Sequence, residues 1–144
     1  MHFLKKYLPN SLSRKDKKKQ YNMLLKSKKM YTKGKYFTRK KVNSFNSKTS
    51  PHILKAFKVY NINSMEPTKE LATKTGCSIK ALKAIIKKGM GAYYSSGSRP
   101  NQTAESWGKA RLASSITGGK ASKVDFHIIK DCKHNMKAYR LASV

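Results

Sequence analysis

Side chains able to do covalent or acid–base chemistry are few in this sequence and poorly spaced for it. Ser95, Ser96 and Ser98, taken with His127 and Asp125, contain the parts of a nucleophile–base–acid set, but no spacing among them supports one. Cys77, Cys132, His127 and His134 form neither a C-x-x-C nor an H-x-x-x-H pair, so only the fold as a whole would assemble a metal site from them. Gly118-Gly119-Lys120 resembles the end of a phosphate-binding loop. However, position 114 is Ser where the first glycine belongs, and position 121 is Ala where a hydroxyl would reach magnesium. Only five acids follow residue 60, which makes a working carboxylate pair improbable. The expectation is a non-enzyme with no metal, no cofactor and no small-molecule substrate.

Two other stretches carry recognition chemistry instead. Thr68–Lys87 fits a helix-turn-helix template: small Ala72 in the first helix, Gly76 in the turn four residues later, and apolar Leu82 and Ile85 in the second. The outward positions of that second helix are Lys80, Lys83 and Lys87. Lysine binds phosphate well but reads bases poorly, so contact there would be weakly sequence-selective. An ordinary helical hairpin with a solvated lysine face is the competing reading. Residues 89–103 concentrate Gly, Ser, Tyr93, Tyr94, Arg99, Asn101 and Gln102 without an acid. Freed backbone N–H groups, hydroxyls and Arg99 suit an anion there, and the tyrosines suit base stacking. The alternatives are a structural loop with its tyrosines tucked underneath, or a loop that docks on a protein. With Arg111 on the following helix, the candidate nucleic-acid contacts are Lys80, Lys83, Lys87, Tyr93, Tyr94, Arg99, Asn101, Gln102 and Arg111.

These stretches belong to a chain of 144 residues with 33 Lys+Arg, 6 Asp+Glu and a formal net charge of +27. Self-repulsion on that scale calls for a polyanion, and nucleic acid is the commonest one; double-stranded DNA is the partner expected first. An anionic membrane surface and an acidic protein assembly are the rivals. The hydrophobic fraction of 38% limits the chain to a small core, and no apolar run is long enough to span a bilayer. The opening residues lack the apolar stretch of a secretory signal, and two cysteines are too few for a disulfide scaffold, which favours a reducing compartment. Cys77 and Cys132 read as small buried hydrophobes.

The elements that must position these residues are helical. Residues 1–60 hold 18 Lys+Arg and one acid, and read as a basic arm, ordered mainly when bound. Within it Ser13 and Asp16 cap a helix that Gly34 stops, and Ser50-Pro51 begin another carrying Ile53, Leu54, Phe57 and Tyr60. Tyr36–Val42 is too charged for a buried strand. Beyond it, Thr68 and Ser78 cap the two helices of the hairpin, the second ending at Lys88 before a loop from Gly89 to Gln102. Thr103 then caps a helix through Trp107, Leu112 and Ile116, which pack a core before Gly118-Gly119. Val124, Phe126 and Ile128 fit a strand as well as a helix, and Asn135 caps a last short helix. The predicted fold is mainly α: a small helical domain at 63–144, with a helix-turn-helix-like hairpin and a long Gly/Ser/Tyr loop, preceded by an extended basic arm at 1–62.

The block Gly91-Ala92-Tyr93-Tyr94-Ser95-Ser96-Gly97-Ser98-Arg99-Pro100-Asn101-Gln102-Thr103 resembles the signature of a small, uncharacterised basic protein family of nucleocytoplasmic large DNA viruses. Members occur in mimivirus relatives and algal viruses, with similar blocks in some phages. Ser106-Trp107, Ala110–Ser114 and Thr117–Lys120 extend the resemblance, as do Leu8–Leu12, Tyr36–Val42 and Ser44-Phe45 in the arm. Lys109, where relatives often carry an aromatic, and Ser122-Lys123, where they carry small residues, depart from the pattern. The resemblance implies a viral protein located in the virion, the cytoplasmic viral factory or the nucleus, and it offers no family catalytic residue to carry over. Two functions fit: a packaged protein that condenses or tethers DNA, or a minor capsid or scaffold protein whose arm threads between capsid subunits.

Overall fold

The computed structural model describes residues 2–144, and among them every regular element is helical. After a single 3-10 turn at Lys5–Tyr7 come α1 (Arg14–Thr32), α2 (Pro51–Tyr60), α3 (Lys69–Thr75), α4 (Ile79–Ser95), α5 (Ala104–Ile116), α6 (Lys120–Val124), α7 (Phe126–Ile129) and α8 (Lys137–Ala142). The mainly α expectation holds, and the segment that also suited a strand is α6 and α7. The caps follow the sequence closely: Ser13 accepts from Asp16 N, Ser50 from His52 N, Thr68 from Leu71 N, Ser78 from Ala81 N and Thr103 from Ser106 N. At the last helix the cap position falls on Met136 rather than Asn135.

The chain forms two compact units. Unit 1 comprises the chain up to Lys48 together with Met90–Trp107; unit 2 comprises Thr49–Gly89 and Gly108–Val144. Grouped by contacts, the chain divides differently from the linear division at residue 62 expected from charge and patterning. Each unit borrows a segment from the other half of the sequence.

In unit 1, α1 buries Gln20, Met23, Leu24 and Ser27. Leu24 packs with Phe3 and Tyr7, and Met23 with Leu12 and Val42. Residues 2–48 group with Met90–Trp107 in one unit, and the apolar side of α1 is covered from within that unit. Ser44 closes the start of α1 from outside: its Oγ accepts from Ser13 N at 2.9 Å, and its N–H donates to the Asp16 carboxylate at 2.8 Å. Gly97 adopts φ +117°, a backbone conformation that favours glycine, and a Cβ there would press on the Leu24 and Tyr7 side chains at 3.0 Å.

Unit 2 is built on Leu71, Cys77, Leu82, Ile85, Leu112, Ile116, Ile129 and Cys132, with Ala56, Tyr60 and Met65 from the α2 side. The Tyr60 hydroxyl donates to the Ile116 carbonyl. Cys77 and Cys132 are buried as expected, but they are bonded to each other, not free. The turn carrying Cys77 and the turn beyond α7 are also joined by a 2.9 Å bond from Lys133 N to Gly76 O, next to the two sulfurs. Helix α4 continues seven residues beyond Lys88 through Gly89 and Gly91, where a loop was expected. The reason is a close crossing: a Cβ on Gly89 would lie 2.6 Å from Gly108 Cα, so glycine here is a contact surface and not a stop.

Candidate nucleic-acid interface

The lysines of the hairpin stand where the sequence placed them. Gly76 takes φ +82° between α3 and α4, and α4 buries Leu82 and Ile85 while Lys80, Lys83 and Lys87 are exposed. Spaced three and four apart, they form one stripe about 10 Å long. None of the three side chains makes a hydrogen bond or ion pair, whereas the neighbouring Lys88 meets His127 Nε2 at 3.0 Å.

A second basic surface lies on α1, in a stretch that composition alone marks only as strongly basic. With Gln20, Met23, Leu24 and Ser27 turned inward, the opposite side carries Lys15, Lys18 and Lys29, with Arg14 beside them, all exposed and without side-chain partners. Lys15 and Lys29 are 14 residues apart on the helix, about 21 Å along its axis. Other α1 cations are engaged: Lys17 with Asn10, Lys19 with the Lys41 carbonyl, and Lys26 and Lys28 over the Phe37 and Phe3 rings. Unit 1 holds 17 Lys+Arg against two acids, Asp16 and Glu105. Every salt bridge among the described residues lies in unit 2: Lys74–Glu70, Lys109–Glu66 and Arg111–Asp125.

The Gly/Ser/Tyr block is a clamp. Arg39, only 6% exposed, donates to Ser27 Oγ at 2.9 Å, to the Tyr93 carbonyl at 2.9 Å and to Ser98 Oγ at 2.8 Å. Its guanidinium also lies 3.8 Å from the Tyr93 ring centroid, and the Arg39 backbone N–H donates to the Tyr93 hydroxyl at 2.9 Å. These bonds finish α4. The last carbonyls of a helix lack internal partners, and α4 has no basic residue in its last turn. Arg39 serves the Tyr93 carbonyl and supplies positive charge at the negative end of the helix, while Ser27 serves the Tyr94 carbonyl. Burial pulls the Arg39 pKa below its ordinary value, partly opposed by Tyr93. Burial likewise raises the Tyr7 hydroxyl, opposed by the nearby Arg39 and Arg99 charges.

Several expected contact residues are consequently occupied. Tyr93 is fully buried with Arg39 on its ring, so it offers no face to a base. Asn101, at φ +63°, accepts from Val42 N and donates to the Val42 and Phe45 carbonyls, tying down the extended 40s segment. Gln102 accepts from Ser106 at the start of α5. Arg111 holds the buried Asp125 carboxylate through two bonds at 3.0 and 2.7 Å, with Ser115 as a third donor, and this pairing raises the Arg111 pKa. A guanidinium so engaged is not a phosphate clamp. Arg99 stays exposed, and Tyr94 half-buried. Ser98 is buried against Arg39, and Asp125 is spent on Arg111, so neither is presented as part of a nucleophile set. Among the described residues no group of three His, Cys, Asp or Glu gathers as a metal site would, and no helix is long and apolar enough to cross a membrane.

Residues 5–137 match the model of a family described as a family of unknown function (DUF5824). No curated protein and no solved structure matches the chain.

Proposed function

The chain belongs to that family of unknown function, and from its surface chemistry we propose that it is a non-enzymatic, virus-encoded nucleic-acid-binding protein that condenses or tethers DNA through phosphate contacts. The observation that carries the reading is the pair of unpartnered basic stripes, Lys80/Lys83/Lys87 on α4 and Arg14/Lys15/Lys18/Lys29 on α1, in a chain whose net charge is +27. Fixed helical spacing presents each stripe as a row of cations with little else to neutralise it, and a phosphate backbone is the natural counterpart. Both stripes are almost purely lysine, which favours backbone contact over base readout and hence binding with little sequence preference. The viral assignment, and packaging in the virion, rest on the similarity of the Gly91–Thr103 block to proteins of large DNA viruses.

A salt titration of binding to a random 30-base-pair duplex tests the reading. Wild type is compared with Lys80/Lys83/Lys87→Gln and with Lys15/Lys18/Lys29→Gln. The expected result is a steep fall of log affinity with log salt, flattened by roughly 0.9 for each phosphate contact removed, up to about 2.7 for a triple variant. Slopes unchanged in both variants would remove the stripes from the interface. No binding at about 50 mM salt would overturn the proposal and favour an acidic capsid subunit as the partner of the basic surface.

A further inference from the structure

Tyr36 is 69% exposed, more than any other Tyr, Phe or Trp among the described residues, and it does not stand alone. Its ring centroid lies 6.1 Å from Tyr31, itself 38% exposed, and 4.9 Å from Tyr94. Tyr94 in turn meets Tyr93 edge-on at 5.1 Å, and Tyr93 is the ring gripped by Arg39. The result is an aromatic ladder within unit 1, anchored at its buried end and open to solvent at the other. Gly34, at φ +74° with open space around it, ends α1 and lets the chain fold back so that Tyr36 meets Tyr31.

Resting on the nucleic-acid reading above, we infer that this ladder is a stacking platform for unpaired bases, and that the protein therefore holds single-stranded nucleic acid in a way it does not hold duplex. The surroundings select this ligand. Lys33 and Lys35 lie between Tyr31 and Tyr36 in sequence, both exposed and both without side-chain partners. Asp16, one of only two acids in unit 1, lies 15 residues before Tyr31 at the far end of α1, about 22 Å along the helix. Exposed flat rings beside unpaired cations match a base joined to a phosphate, and stacking accepts every base because each has a π-face. Bases inside a duplex have their faces covered by neighbours, so the platform acts only on single strands, while the lysine stripes act on both.

The test uses the full chain with three probes of matched length: a 12-base oligothymidylate, the same strand with abasic residues throughout, and a 12-base-pair duplex. Wild type is expected to bind the thymidylate strand about ten-fold more tightly than the abasic one. Tyr36→Leu is expected to erase that advantage and leave abasic and duplex affinities within two-fold; an exposed ring can be replaced without disturbing the core. A loss shared by all three probes, or none on thymidylate, would overturn the platform while leaving phosphate binding intact. Failure of wild type to bind any probe would overturn the nucleic-acid reading itself, and this inference with it. A wild-type dimer in sedimentation that Tyr36→Leu dissociates, without any base-dependent binding, would overturn the platform and make the ladder a contact between copies.

Discussion

Replacing Arg39 by Met measures how far unit 1 depends on a buried cation that has no carboxylate partner. The substitution removes three hydrogen bonds from a charged donor and a guanidinium seated on the Tyr93 ring. Bonds of that kind contribute about 1.5 kcal/mol or more each, and a desolvated cation–π contact about 2 kcal/mol. Against this, the variant no longer buries a charge, which returns about 3 kcal/mol. Ser27 and Ser98 each keep a carbonyl to donate to, so neither hydroxyl is stranded, but the Tyr93 carbonyl at the end of α4 loses the partner it has here. The net expectation is a loss of about 3 kcal/mol. Trp107 is the only tryptophan and packs edge-on to Tyr7 at 6.1 Å in the Phe3–Leu24 cluster, so its fluorescence reports this unit. At a urea slope of about 1 kcal/mol/M the midpoint moves down by roughly 3 M. Arg39→Lys, which keeps charge but loses the planar fork, falls between the two. A midpoint within about 0.5 M of wild type for Arg39→Met would refute the reasoning, because desolvation would then cancel everything the clamp contributes.

Two further outcomes are expected. Reducing the Cys77–Cys132 bond, or Cys77→Ser, lowers the stability of unit 2 by about 4 kcal/mol, since the bridge closes a separation of 55 residues; urea melts followed by circular dichroism with and without reductant check it. The Asp16 carboxyl is held below its ordinary pKa chiefly by Ser44, so its contribution is present above about pH 4 and fades as pH falls through the lowered value. Amide exchange at the start of α1 should therefore speed up relative to the rest of that helix as pH falls below about 4, and Asp16→Asn should abolish the difference.

Helix starts were legible because their signals are local: Ser13, Ser50-Pro51, Thr68, Ser78 and Thr103 each act within three residues of themselves. The α4 lysine stripe was legible for the same reason, as it follows from spacing on one helix. The end of α4 was not. Gly89 and Gly91 look like punctuation in a linear reading, and only the approach of Gly108 shows that the first is a contact surface. The Tyr93 and Asn101 assignments failed on range: Arg39 lies 54 residues from Tyr93, and Val42 lies 59 from Asn101. A polar, glycine-rich block suits a ligand as well as it suits a clamp until its partners are known. Tyr31 follows the helical spacing of α1 while Tyr36 lies in the irregular segment beyond it, so no local pattern pairs the two rings.

The interleaving of the two units sets an order on the protein's own synthesis. The chain up to Lys48 carries Phe3, Leu24 and Val42, yet its clamp residues Tyr93, Ser98 and Asn101 arrive only with Met90–Trp107. Trp107 is 59 residues beyond Lys48, which at about 5–20 residues per second is a wait of about 3–12 s. For that interval the ribosome presents a half-built unit with 16 Lys+Arg and one acid, surrounded by RNA. Unit 2 must wait as well, its Thr49–Gly89 half emerging before Gly108–Val144. Neither unit can be made as a contiguous fragment, so truncations at the borders of α4 or α5 would deliver two unfinished halves.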